Sequence, residues 1–274
     1  MTAADSTPSP ASIIKASSPG AKVLAVLWGA MPALVFVALI GLWWAAVDVL
    51  KVPAYLLPPP QDVLPRIFSS RLSLWNHSLV TLQEIILGFG LSVVTAIPMG
   101  LLIALSPAAK RMLYPFLMFI QLVPKIAIAP LFVVWVGFGM TSKVLLTLLL
   151  TFFPLLLASI AGFQILDQRL LYLTRSLGAT FWQTFRYLRF PAALPVIFGG
   201  LKTSATIAAT AAIVAEFVGA NKGLGYLLLQ ATGTLDTTYV FAILFLLTII
   251  GLALNSIVEL VEYFMAPWRR AHDK

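Results

Sequence analysis

The chain of 274 residues is 60% hydrophobic and 10% charged, with a formal net charge of +8; soluble domains carry about 25% charged residues, so a water-soluble globule is excluded. Cysteine is absent, which removes disulfides, thiolate metal sites and cysteine nucleophiles. The two histidines, His77 and His272, stand too far apart in sequence for a histidine metal site, and the positive balance fits cytoplasmic loops rather than nucleic acid.

Residues 1–22 are rich in Ser, Pro and Ala without apolar periodicity, and are expected to be a disordered lead. They hold no apolar run of their own, so they do not read as a signal peptide. A membrane helix needs about 20 mostly apolar residues. Six segments qualify: Val23–Val47, Leu79–Leu105, Leu113–Val136, Val144–Ile165, Leu194–Val218 and Val240–Phe264. They lack the alternation of barrel strands, so the fold class is an all-α membrane protein with six transmembrane helices. Six crossings place both termini on one side. Eleven Lys and Arg residues fall on that side and five on the other, which points to cytoplasmic termini.

Between the first two spans Pro58, Pro59 and Pro60 form a stiff connector. Residues 61–72 read either as a short interfacial helix with Val63, Leu64, Ile67 and Phe68 toward lipid, or as a plain link. Gly88, Gly90 and Gly100 mark close helix contacts in the second span. In the third span Lys125 stands between Pro124 and Pro130, and a charge at membrane depth costs about 3 kcal/mol or more. Three readings stand open for it: it lines a translocation path, it pairs with a carboxylate such as Glu216, or it reaches for the interface. Glu216, at the end of the fifth span ahead of Gly219 and Gly223, reads as a gate or partner contact, or as an interfacial acid with a structural partner. Lys202 is placed to reach the cytoplasmic face. Trp43, Trp44 and Trp268 read as interfacial anchors. Glu259 and Glu262 read as an ordinary charged helix end, and Glu84 is left without a role.

The most informative stretch is polar. Residues 167–191 hold Arg169, Arg175, Arg186 and Arg189 against one acid, Asp167. Leu170, Leu173, Leu177, Phe181, Phe185 and Leu188 recur in steps of three and four, the period of a helix with one apolar face. Gly178 marks a helix end. Thr180 and Gln183 form a capping box that restarts one, and Pro191 is expected to end the run. A basic amphipathic elbow either lies on anionic lipid or fills a groove on a partner protein.

The order of residues in this stretch resembles the cytoplasmic loop of permeases of binding-protein-dependent ABC importers with the type I fold. The family pattern is Glu-Ala-Ala, three residues, Gly, nine residues, then Ile-x-Leu-Pro. Here Gly178 is followed after nine residues by Leu188-Arg189-Phe190-Pro191. Tyr172-Leu173-Thr174 fill the Glu-Ala-Ala place, so the family's acid is missing and with it any salt bridge from position 172. Four further segments support the likeness: 56–64, 123–131, 135–139 and 216–225. The likeness covers about Trp75 to Trp268 and is nearest the nitrate/sulfonate/taurine branch.

The resemblance implies a coupling-helix elbow between the fourth and fifth helices, carried by Arg175, Ser176, Leu177, Gly178, Ala179, Thr180, Phe181, Phe185, Arg186 and Pro191. It implies ABC ATPase subunits, an extracytoplasmic solute-binding protein and a second permease copy as partners, in the bacterial inner (plasma) membrane. Lys125 and Glu216 would then belong to the translocation path. The parts would be residues 23–74 as first helix and outer connector, 75–265 as the importer transmembrane domain and 266–274 as a cytoplasmic tail. No Gly-Lys pair exists, so the chain makes no Walker phosphate cradle; ATP and Mg would be bound by the partner ATPase, and the chain itself is expected to carry no cofactor and no enzyme activity. The solute expected is a sulfonate-, taurine- or nitrate-like anion, or a thiamine-precursor- or riboflavin-like ring. A stand-alone proton-coupled carrier or channel is the other reading, with Lys125 and Glu216 as relay groups.

Overall fold

The computed structural model describes residues 19–268, in two units, 1–60 and 61–274. The first unit is built on α1 (Pro19–Leu50). Of the expected lead, residues 1–18 lie outside the described residues, and 19–22 already belong to α1. From Met31 onward most of its large apolar side chains are exposed, with Trp43 and Val47 half-buried, which suits a helix solvated by lipid. Trp43 Nε1 donates to the Pro58 carbonyl at 3.1 Å, tying the helix to the proline connector.

The second unit contains α2 (Pro60–Ser69), α3 (Arg71–Leu105), α4 (Pro107–Leu122), α5 (Ala129–Val136), α6 (Met140–Gln164), α7 (Gln168–Ser176), α8 (Phe181–Thr184), α9 (Phe190–Gly219), α10 (Leu224–Gly233) and α11 (Thr237–Met265). Among the described residues five helical runs are long and apolar enough to cross a membrane, in α1, α3, α6, α8–α9 and α11, and the α4–α5 pair makes a sixth if counted as one span.

That third span departs from expectation. Residues 113–136 are not one helix: α4 and the run Lys125–Val136 meet at 79°. Pro124 has no N–H to continue the ladder, and a 3₁₀ turn over Lys125–Ile128 follows it. The Gln121 carbonyl, which the Lys125 amide would take in an unbroken helix, instead accepts from Lys125 Nζ at 2.8 Å.

The centre is α3, α6 and α9. In lipid the hydrophobic effect does not drive helices together, so close packing carries the contact. Gly88 and Gly100 let α3 approach α6: an added Cβ would meet Thr147 and Ser159 side chains at 2.5 Å. Gly90 faces open space, so its expected packing role fails. α9 presents buried Ala205, Ala208, Ala211, Ala212 and Ala215, and Ser204 Oγ donates across to the Thr151 carbonyl at 2.9 Å. α2 does form, but Val63 is buried and Ile67 packs beside Leu74, Leu224 and Ile243. Only Leu64 and Phe68 of the expected lipid-facing set are exposed.

Candidate functional site: an exposed elbow and a buried polar cluster

The two ends of α9 carry the two candidate sites. At its start lies the elbow. Asp167 caps α7 by accepting from the Arg169 amide at 2.9 Å. α7 ends in a Schellman turn: the Ala179 amide reaches the Thr174 carbonyl and the Gly178 amide the Arg175 carbonyl, each at 3.0 Å. Gly178 sits at φ +75°, the left-handed region that costs other L-residues about 1–2 kcal/mol. Thr180 and Gln183 close the expected capping box, with both bonds present at 2.8 and 3.3 Å.

Pro191 does not end the run. A π turn over Phe185–Arg189 joins α8 to α9 without a break, and the Phe190 amide bonds the Phe185 carbonyl. The wider turn relieves the clash a proline ring makes with the carbonyl four residues back. Pro191 therefore lies in the first turn of α9, where a missing N–H is tolerated.

Leu177 is 77% exposed and Phe181 65% exposed, with Trp182 and Tyr187 also open. Arg175, Ser176, Gly178, Thr180 and Arg186 share this exposed surface, and Ala179 is half-buried beneath it. Phe185 points the other way. It stacks on Trp182 at 5.4 Å and meets Phe163 and Phe190 at 6.4 and 6.0 Å, holding the elbow to the helical body.

The far end of α9 holds Glu216, 1% exposed. Thr81 Oγ1 donates to its Oε1 at 2.6 Å. Its Oε2 accepts from the Gly225 amide and, at 3.2 Å, from the Tyr226 amide. Those amides open α10, so a carboxyl group sits at a helix N-terminus. Thr81 Oγ1 accepts the Leu224 amide at 2.8 Å, and His77 Nδ1 accepts the Gly223 amide at 2.9 Å while its ring stacks on Tyr226. A Cβ at Gly223 or Gly225 would strike the Glu216 carboxylate. The four N-terminal amides of α10 thus divide between one acid, one hydroxyl and one imidazole.

Beside this cluster Lys143 Nζ of α6 meets Glu84 Oε1 at 2.7 Å, with side-chain exposures of 8% and 0%. Lys143 also reaches the Lys222 carbonyl at 3.5 Å. Among the described residues Glu84 Oε2 has no hydrogen-bond partner. Further out, Arg66 pairs with Asp236 and lies 4.9 Å over the Tyr239 ring; Asp236 also caps α11 through the Tyr239 amide at 3.1 Å.

Lys125 and Glu216 are not partners. Lys125 bonds the Gln121 carbonyl and lies 5.1 Å over the Phe153 ring, and Glu216 is satisfied within its own cluster. Lys202 does not reach out alone: it bonds Glu262 at 2.7 Å and stands 3.7 Å from Glu259. Among the described residues no group of three or more His, Asp or Glu side chains is arranged to hold a metal. Sequence reasoning missed Thr81, His77 and the Glu84–Lys143 pair. The available signal was charge at depth: one acid inside the second span and one lysine opening the fourth.

Residues 96–271 match the model of a family described as binding-protein-dependent transport system inner membrane component. The chain is 36% identical over 84% of its length to a riboflavin transport system permease protein of Chloroflexus aurantiacus, of which 87% is covered. It is 35% identical to a formylaminopyrimidine transport permease protein of Halalkalibacterium halodurans, over 87% of this chain and 96% of that one. A taurine transport system permease protein of Escherichia coli is 31% identical over 84% and 86% of the two chains. Among solved structures, a chain of the MetNI methionine ABC transporter in an inward-facing conformation superposes with a TM-score of 0.55 at 20% identity, over 72% of this chain and 98% of that one.

Proposed function

Since the chain belongs to the family of binding-protein-dependent transport system inner membrane components, and so is a permease subunit of an ABC importer for a small solute, we propose that it is driven by ATP through its elbow. Leu177 and Phe181, held outward by the Gly178 turn, enter a groove on a separate ATPase subunit, and Arg175 and Arg186 rim the contact. ATP and Mg are bound by that subunit. Closure of the ATPase pair moves the elbow, and α8–α9 carries the movement into the membrane. A second permease copy completes the path, and an extracytoplasmic binding protein delivers the solute. Both termini lie in the cytoplasm of a bacterial cell, with residues 75–265 forming the transmembrane domain and 266–274 the tail. Of that tail, residues 269–274 lie outside the described residues.

One observation carries this reading: large apolar side chains stand exposed on a turn locked by a Schellman motif and a capping box, on a segment too polar to lie in hydrocarbon. Lipid alone would not call for so fixed a turn. Of the two path residues expected, Glu216 has both oxygens engaged and serves as the anchor of α10. Lys125 is half-exposed at the bend of the broken span, and in this reading it is the residue that faces the path. The solute falls in the range named for the relatives, from aliphatic sulfonates and taurine to riboflavin and formylaminopyrimidine.

The test is co-purification and energetics. A stoichiometric ATPase subunit should follow the permease, and uptake should fail on ATP depletion but survive collapse of the proton gradient. Uptake that tracks the proton gradient without an ATPase subunit would sink the proposal. Lys125→Met should slow uptake while leaving assembly intact; unchanged uptake would remove Lys125 from the path.

A further inference from the structure

The elbow borders two small cavities that share one side chain. The first, about 290 Å³, lies between α7, the π turn and the end of α3; Arg175, Thr184 and Arg189 line it together with the apolar Leu105, Leu171 and Phe185. The second, about 310 Å³, is lined by Lys110 of α4, Gln164 of α6, Gln168 of α7 and again Arg189. Both stand at the bottom of the roughly 300–1,000 Å³ range of sites for drug-sized molecules. That is room for a headgroup or a small ion.

Three cations from three elements converge on this space: Lys110, Arg175 of α7, and Arg189 of the π turn. Arg189 is half-buried and feels the like charge of Arg175. Among the described residues neither guanidinium has an ion pair or a side-chain hydrogen bond, and the Thr184 hydroxyl has no acceptor. Lys110 Nζ donates to Gln164 Oε1 at 2.6 Å, which leaves two of its three protons for another acceptor. Asp167, the one acid within residues 167–191, caps α7 and lines neither cavity. Two guanidinium forks around one small cavity suit an oxyanion with several oxygens, since each fork takes two of them at once.

We propose that the paired cavities at the elbow bind a phosphate group whose negative charge is not cancelled by an ammonium of its own, carried by an anionic lipid headgroup or free in the cytoplasm. Arg175 and Arg189 clasp it, Thr184 donates a further hydrogen bond, and Lys110 supplies charge from the adjoining cavity. The bound anion bridges α7 to the turn that opens α9, so the two sides of the elbow are held together across the Gly178 bend. The proposal rests on the elbow lying at the cytoplasmic membrane surface.

The permease is purified with its ATPase subunit in nanodiscs of phosphatidylcholine with phosphatidylglycerol as the minor lipid, and the lipid retained on release from the disc is counted by native mass spectrometry. Phosphatidylglycerol should be retained over phosphatidylcholine. Arg189→Gln should lower that retention about tenfold or more, and Arg189→Lys should restore part of it. Arg175→Gln should lower it too, and supplies the reading if Arg189→Gln does not assemble. Arg169→Gln removes the same charge from a side chain that lines neither cavity, and should leave retention as it was. Inorganic phosphate separates the two sources. Phosphate that displaces the lipid and binds in discs of phosphatidylcholine alone makes the free ion the ligand; retention indifferent to phosphate makes it the headgroup. Retention unaffected by Arg189→Gln and Arg175→Gln, equal loss in Arg169→Gln, or binding of neither the lipid nor phosphate up to about 1 mM overturns the proposal. Failure of the ATPase subunit to co-purify is a separate outcome: it strikes the reading of the elbow as an ATPase contact, while the lipid count still decides the phosphate site.

Discussion

Glu84 of α3 and Lys143 of α6 form a buried ion pair at 2.7 Å in which only one carboxylate oxygen, Oε1, is hydrogen-bonded. Buried pairs are expensive to break and cheap to replace: removing one partner costs about 3–5 kcal/mol, whereas an apolar pair of like size is often neutral. Lys143→Met and Glu84→Leu alone should each lower the thermal midpoint in detergent sharply. The double variant Glu84→Leu, Lys143→Met should recover most of the loss. A double variant as unstable as the sum would show that the pair holds no private interaction.

Glu216→Ala strips the acceptor from the Gly225 and Tyr226 amides at once, while the Thr81 hydroxyl keeps the His77 carbonyl at 3.2 Å. Each buried polar group left unpaired costs about 1–3 kcal/mol. The segment 220–236 should then exchange amide hydrogens faster and admit protease, with α6 protection unchanged. Glu216→Gln keeps one acceptor oxygen and should fall between. Equal protection in all three proteins would mean that α10 is held by packing alone.

Gly178 has open space where a Cβ would go, so a substitution there meets only the strain of φ +75°. Gly178→Ala should cost about 1–2 kcal/mol at the elbow and leave assembly in the membrane intact. Gly178→Asp adds a charge beside Leu177 and Phe181, and should reduce solute uptake roughly tenfold or more, the effect of losing one interface hot spot. Normal uptake by Gly178→Asp would count against the elbow as the ATPase contact.

Arg66 and Asp236 separate charge from capping. Their side chains are 39% and 33% exposed, and pairs of that kind contribute about 0–1 kcal/mol. Arg66→Met should therefore do little to the unfolding midpoint. Asp236→Ala also removes the cap on the Tyr239 amide, worth about 0.5–2 kcal/mol, and should be clearly the worse of the two.

The long apolar runs, the Gly178 turn and the Thr180–Gln183 box were legible because each is a local pattern with a local cause. The Pro191 stop was misjudged for a local reason too: a proline ends a helix unless the turn before it widens, and nothing in the letters announces a π turn. The break at Pro124 was visible as two prolines, yet hydropathy runs through it unaltered. The polar cluster escaped for a different reason. Its members come from positions 77, 81, 84, 143, 216 and 223–226, and no window along the chain contains them together. Lys202 is similar, since its partners on α11 lie some sixty positions away.

The π turn has a mechanical corollary. With no gap between α8 and α9, the elbow and the Glu216 anchor sit on one rod, about 45 Å long over the 30 residues of α9. Rocking that rod by ten degrees about its middle swings each tip by roughly 4 Å in opposite senses. If the elbow is the ATPase contact, a push at the foot travels along this one helical run to the acid that pins the small helix at the head.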